Sequence, residues 1–82
     1  MNRFEYTVKD ENGIHARPAG LIVREAQKYG SEITIECRGK SASLKKLLSV
    51  MGLGIKQGDT VTVSSADGSD ISSLLTFFEN NI

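Results

Sequence analysis

Three segments of the sequence alternate apolar with polar residues, and this alternation limits the possible folds more than any other feature. It covers residues 4–8, 33–37 and 61–63, which predicts three strands with one buried and one polar face. A fourth, short strand is expected around Ser41-Ala42, directly after a tight turn at residues 38–40. Strands that keep one polar face favour an antiparallel sheet with solvent on one side.

Three further segments carry apolar residues at the three-and-four spacing of amphipathic helices. Their apolar positions are Ala19, Ile22, Val23 and Ala26; Leu44, Leu47, Leu48 and Met51; and Ile71, Leu74, Leu75 and Phe78. Ser43 is the expected N-cap of the second helix, which should end at Gly52 and Gly54. Ser69 or Asp70 should cap the third helix.

The predicted order of elements is strand, helix, strand, strand, helix, strand, helix. A sheet with one polar face buries its other face under the helices, so this order favours a two-layer α+β sandwich. With 82 residues the chain should form one domain over residues 1–82, because a second core would not fit.

Composition argues against several classes of function. Ten basic and ten acidic residues leave no net charge, and the chain has no tryptophan, which together disfavour nucleic-acid binding. One histidine and one cysteine give no clustered ligands, so no metal and no other cofactor is expected. Cys37 lies in an alternating apolar segment and should be an ordinary buried residue. No apolar run approaches the roughly 18 residues that span a bilayer and no signal-peptide pattern is present, so we expect a cytoplasmic protein without membrane insertion.

His15 and Pro18, the only histidine and the only proline, lie where the first helix should begin. We expect His15 near the N-cap, so that the N–H groups of Ala16 and Arg17 can bind an anion at the positive end of the helix dipole. The planar guanidinium of Arg17 would add donors suited to phosphate. Gly20, one turn later, leaves room for a partner. Residue types and spacing allow two interpretations of His15. It is either a nucleophile or part of an anion site, or else it is an ordinary surface residue or structural cap.

Residues 13–19, Gly-Ile-His-Ala-Arg-Pro-Ala, resemble the active-site signature of the HPr family. These are the histidine-containing phosphocarriers of the bacterial phosphoenolpyruvate:sugar phosphotransferase system. The similarity continues through Gly39-Lys40 and residues 44–59, and it covers essentially the whole chain. It implies an open-faced β-sandwich of order βαββαβα, with antiparallel strand order 1-4-2-3 and three helices on one face.

The resemblance also implies a function. His15 would accept a phosphoryl group at Nδ1 from phospho-enzyme I, whose own donor is phosphoenolpyruvate, and pass it to a IIA domain of a sugar transporter. Arg17 would match the phosphate-stabilising arginine of the family. Such a carrier turns over nothing by itself and is not an independent enzyme. Two alternatives stay open: a paralogue in a nitrogen-related or dihydroxyacetone kinase relay, and a non-catalytic regulatory module of the same fold.

Partner contacts are implied near the second helix. With Gly20, the residues expected to dock partners are Leu47, Leu48 and Met51. Leu44 and Val50 are then the better core candidates. Many family members carry a serine, phosphorylated by an ATP-dependent kinase, where this chain has Lys46, so no regulatory serine is expected here. A carrier that must enter partner clefts should be a monomer.

Overall fold

The computed structural model describes all residues from 1 to 82. Its elements are β1 Arg3–Thr7, α1 Ala16–Ala26, β2 Ile33–Cys37, β3 Lys40–Ser43, α2 Leu47–Met51, β4 Thr60–Ser65 and α3 Ser72–Asn81. This is the order that the apolar periodicity predicts. The helices are too short to cross a lipid bilayer.

The four strands form one antiparallel sheet in the order β1-β4-β2-β3, which confirms the expected topology. Val63 of β4 pairs with Phe4 on one side and Ile35 on the other, and Ile35 pairs with Ala42 on the edge strand. Residues paired across antiparallel strands point to the same face. This row therefore lies on the apolar face of the sheet, under the helices.

The core between sheet and helices is one cluster of buried apolar side chains. Phe78 of α3 is fully buried, and its ring meets Phe4 and Tyr6 of β1 edge-on, with centroids 5.5 and 5.8 Å apart. Edge-to-face pairs of this kind add to the stabilisation gained by burial. Cys37 is buried in the same cluster, as predicted, and burial raises the pKa of its thiol.

Both predicted capping assignments are wrong. Ser43 is the last residue of β3, and α2 begins only at Leu47 with Lys46 as its N-cap. The reason is that the N–H of Leu44 still donates to the carbonyl of Ile33 at 2.7 Å, which extends the strand pairing past Ser43. Helical backbone cannot begin until that pairing has ended.

The third helix begins one residue later than predicted if Asp70 is taken as the cap, and two residues later if Ser69 is. Its N-cap is Ile71 and neither Ser69 nor Asp70. The Asp70 carboxylate nevertheless accepts a hydrogen bond from the Ser72 N–H at 3.0 Å, so an acidic group still stabilises the helix start.

Candidate functional site

His15 is the N-cap residue of α1. Its backbone is extended, with φ −99° and ψ −176°, and its carbonyl accepts the N–H of Ala19 at 2.9 Å, which closes the first helical turn. The imidazole makes no capping hydrogen bond, and 43% of the side chain is exposed. The ring is therefore not used as a structural cap and can be reached from solution.

The first backbone N–H groups of α1 have no acceptors within the chain. Neither Ala16 nor Arg17 donates a backbone hydrogen bond, and Pro18 has no N–H to satisfy. The Arg17 side chain is exposed and forms no hydrogen bond or ion pair. The positive end of the helix dipole, two free donors and an unpaired guanidinium thus lie beside His15, an arrangement that suits an anion.

Asp10 is a neighbour of His15 that the sequence did not identify. One carboxylate oxygen lies 3.9 Å from His15 Nε2, and the other accepts the Asn12 N–H at 2.8 Å. The distance to Nε2 is longer than a hydrogen bond but within the range of an electrostatic contact. Residues 10–13, Asp-Glu-Asn-Gly, are of types common in turns, but nothing in the sequence indicates that the Asp10 side chain points back at the histidine.

Gly13 fixes the loop before His15 against the segment before β4. Its φ is +66°, and a Cβ at this position would lie 2.3 Å from the carbonyl oxygen of Ile55 and 2.8 Å from the Cα of Lys56. The N–H of Ile14 donates to the same Ile55 carbonyl at 3.1 Å. Only glycine fits both the backbone conformation and the space.

We expect Gly13→Ala to lower the free energy of unfolding by about 1–3 kcal/mol, because it combines a left-handed backbone with a backbone clash. Denaturant unfolding monitored by circular dichroism measures this loss. Gly20→Ala is the matched control, since a Cβ at Gly20 has nothing within 4 Å. Equal stability of Gly13→Ala and wild type would contradict the steric argument.

Helices α1 and α2 pack side by side in opposite directions. Beyond the end of α1, Gln27 Nε2 donates to the Lys45 carbonyl at 3.1 Å, and Lys45 Nζ donates to the Tyr29 carbonyl at 2.6 Å. At the other end, Gly13 lies against Ile55, just past α2. The end of α2 is therefore near the start of α1 and near His15.

Both helices leave apolar side chains in solvent. On α2, Leu48 is 83% exposed and Leu47 and Met51 are each 38% exposed, whereas Val50 is buried together with Leu44 before the helix. This confirms the expected division between exposed and core positions. On α1, Leu21 beside Gly20 is 41% exposed, although it was not among the residues predicted to dock partners. Leu21 could have been found from the sequence, because it is a large apolar residue that lies outside the predicted apolar face of α1.

Lys46 is exposed as the N-cap of α2, and Ser49 is exposed within that helix. Nowhere in the structure do three histidine, cysteine, aspartate or glutamate side chains lie close enough together to hold a metal ion.

Comparison with known proteins identifies the family. A model described as the PTS HPr component phosphorylation site matches residues 2–80. The histidine-containing phosphocarrier protein of a mycoplasma has a similar structure, with a TM-score of 0.82 and 34% sequence identity over 96% of this chain and 89% of that chain. The phosphocarrier protein HPr of Bacillus anthracis matches with a TM-score of 0.81 and 32% identity over 98% of this chain and 94% of that chain.

A third similar structure is the catabolite-repression protein Crh of Bacillus subtilis, a dimer with a swapped domain. It has a TM-score of 0.72 and 26% identity over 94% of this chain and 92% of that chain. The family match spans nearly the entire sequence and the fold agrees with it, so the chain belongs to the HPr phosphocarrier family of the phosphotransferase system.

Proposed function

We propose that this chain is a cytoplasmic phosphocarrier that accepts a phosphoryl group on His15 from phospho-enzyme I and passes it to a IIA domain of a sugar transporter. The observation that carries the proposal is the start of α1. There an exposed imidazole adjoins two N–H groups without acceptors and an unpaired arginine. A module that only binds a partner has no need of these groups together.

His15 acts as the nucleophile. The lone pair of Nδ1 attacks phosphorus and an N–P bond forms. The bond between phosphorus and its donor atom in enzyme I breaks, and its electron pair stays on that donor atom. Transfer to the IIA domain repeats this exchange with His15 Nδ1 as the leaving group. The negative oxygens are stabilised by the Ala16 and Arg17 N–H groups and by the Arg17 guanidinium, whose charge-assisted bonds are stronger than neutral ones.

Asp10 supports the choice of Nδ1 as the reacting nitrogen. Its carboxylate lies on the Nε2 side of the ring, at 3.9 Å. A carboxylate there favours the tautomer with the proton on Nε2, which leaves the lone pair on Nδ1. It also repels a phosphoryl group from Nε2, because both groups are negative. The proton on Nε2 stays in place through the transfer.

The proposed docking surface consists of the exposed apolar residues on both helices, Leu21, Leu47, Leu48 and Met51, together with the half-buried Gly20 of α1. Desolvated apolar anchors of this kind supply most of the binding energy in protein interfaces. Basic side chains at Arg17, Arg24 and Lys46 are exposed on or next to the same two helices and would attract acidic partner surfaces. Because the docking surface is needed for partners, we expect the chain to act as a monomer.

The function is tested by intact mass after mixing the protein with phosphoenolpyruvate and a catalytic amount of enzyme I. We expect the gain of one phosphoryl group that is labile in acid and stable in alkali, as phosphohistidine is. No gain with an enzyme I that phosphorylates a known HPr would overturn the proposed donor. A different relay or a binding role would then be the remaining explanation.

We further propose that this chain escapes control by HPr kinase, because Lys46 stands where many members carry the target serine. Incubation with the kinase and ATP should leave the mass unchanged, while a serine-bearing HPr in the same tube gains phosphate. Lys46→Ser is the informative variant, since it offers the hydroxyl at the N-cap of α2 and should be modified. Phosphate found on Ser43 or Ser49 of the wild type would contradict this proposal.

A further inference from the structure

An arginine in the turn between β2 and β3 reaches across to the segment before β4. Arg38 has φ 53° and Gly39 has φ 80°, the backbone pattern of a tight type I′ hairpin turn. Arg38 is the only residue other than glycine with positive φ, a conformation that costs roughly 1 kcal/mol or more. A glycine or asparagine would meet the demands of this turn better, so the arginine is not there for the turn itself.

The guanidinium of Arg38 joins both ends of residues 53–59, here called the 53–59 loop. Its Nη2 donates to the carbonyls of Leu53 and Gly54, at 2.9 and 3.1 Å. Its Nη1 donates to the carboxylate of Asp59. One planar group therefore holds the beginning and the end of the loop at the same time, which an ammonium with its single charged atom cannot do.

Asp59 closes the loop from within. The oxygen that faces Arg38 also accepts the N–H of Lys56 at 2.8 Å, and the N–H of Asp59 donates to the Lys56 carbonyl at 3.0 Å. The Lys56 N–H and then Arg38 hold the pKa of the Asp59 carboxyl below its usual range. The carboxylate accordingly stays ionised at neutral pH, and the contact with Arg38 persists.

The residues before His15 pack against the closed 53–59 loop. The Ile55 carbonyl accepts the N–H of Ile14 at 3.1 Å, and Gly13 lies directly against Ile55 and Lys56. Ile14 is buried and is bonded directly to His15 in the chain. A continuous set of contacts thus leads from Arg38 through the 53–59 loop to the residue that precedes the histidine.

We propose that Arg38 is a positioning residue for phosphoryl transfer at His15, which it orients through the 53–59 loop. This role rests on the proposed function. Arg38 is half exposed, and exposed ion pairs contribute little to global stability. The rate of phosphoryl transfer is far more sensitive to the position of His15, because a displacement of about 1 Å at a reacting group can lower a rate about 10²-fold.

The test compares Arg38→Ala and Arg38→Lys with Lys28→Ala, a control that removes an exposed ion pair with Glu25 at the end of α1. Initial rates of phosphate uptake through enzyme I are measured over a range of carrier concentrations, and amide exchange is followed by NMR. For Arg38→Ala we expect kcat to fall about tenfold with KM unchanged, since the docking surface is intact.

Amide exchange locates the effect. The Ile14 N–H should exchange about tenfold faster in Arg38→Ala, while the Val63 N–H at the centre of the sheet keeps its wild-type rate. Arg38→Lys should have a kcat and an Ile14 exchange rate between those of wild type and Arg38→Ala. Lys28→Ala should match wild type in both quantities.

Three outcomes would overturn the positioning role. They are a wild-type kcat in Arg38→Ala, a fall in kcat without faster exchange at Ile14, and faster exchange at Val63 and Ile14 together, which would mean general loosening. Phosphate uptake by the wild type keeps the proposed function intact in all three cases. If the wild type takes up no phosphate, the proposed function is overturned and the role of Arg38 with it.

Discussion

Alanine at position 15 should abolish phosphate uptake from phospho-enzyme I while leaving the fold unchanged. The imidazole makes no hydrogen bond within the chain and is 43% exposed, so its removal should change the free energy of unfolding by no more than about 0.5 kcal/mol. The loss of transfer should be complete, because His15 is the only histidine and therefore the only residue that can form a phosphohistidine.

The His15→Ala result is read from two measurements made on the same sample. Intact mass after incubation with phosphoenolpyruvate and enzyme I should show one phosphoryl group on the wild type and none on the variant. Thermal unfolding should show midpoints within about 4 °C of each other, as expected for so small a change in stability in a domain of this size. Phosphate retained by His15→Ala would place the acceptor elsewhere and contradict the proposed role of the histidine.

The fold was predictable because three of the four strands alternate over short, cleanly bounded segments, and the short β3 follows a tight turn directly after β2. Phe4 and Tyr6 of the first strand and Val8 just after it, for example, are all buried, as period-two alternation requires. The order of the strands in the sheet could not be predicted from alternation. Alternation shows which residues face the core but not which strands are neighbours, so the order 1-4-2-3 came from the resemblance to HPr.

The start of α2 shows where periodicity fails. Leu44 continues the leucine spacing of the helix, yet it is held in strand pairing by its hydrogen bond to Ile33. Spacing alone cannot distinguish a helical leucine from a buried one that precedes the helix, because that difference depends on a strand contact eleven residues back in the chain.

The candidate site was predictable only in part. His15, Ala16 and Arg17 are adjacent in sequence, so the start of one helix was enough to bring them together. Asp10 reaches the imidazole because the turn at residues 10–13 folds back, and Arg38 contacts the 53–59 loop rather than the histidine, so both placements depend on the folded backbone. Long-range placement of this kind leaves no periodic signal in the sequence.

Leu44→Ala and Leu48→Ala, the same substitution four residues apart, should have opposite consequences. Leu44 is fully buried, and truncating a buried leucine costs about 3–5 kcal/mol because it leaves a cavity. Chains of this length have a total stability of only about 4–12 kcal/mol, so Leu44→Ala should unfold partly or fully under mild conditions. Leu48 is 83% exposed, so Leu48→Ala should change stability by about 0.5 kcal/mol or less.

Phosphate-uptake kinetics complete the comparison. Leu48→Ala should raise the KM for the carrier several-fold with little change in kcat, because Leu48 belongs to the docking surface and does not touch the reacting group. Leu44→Ala should lower the fraction of folded carrier, and a stabilising osmolyte should restore its rate. Loss of stability in Leu48→Ala equal to that in Leu44→Ala would mean that both leucines pack in the core, as their shared spacing alone would indicate. A stable Leu48→Ala with an unchanged KM would instead remove Leu48 from the docking surface.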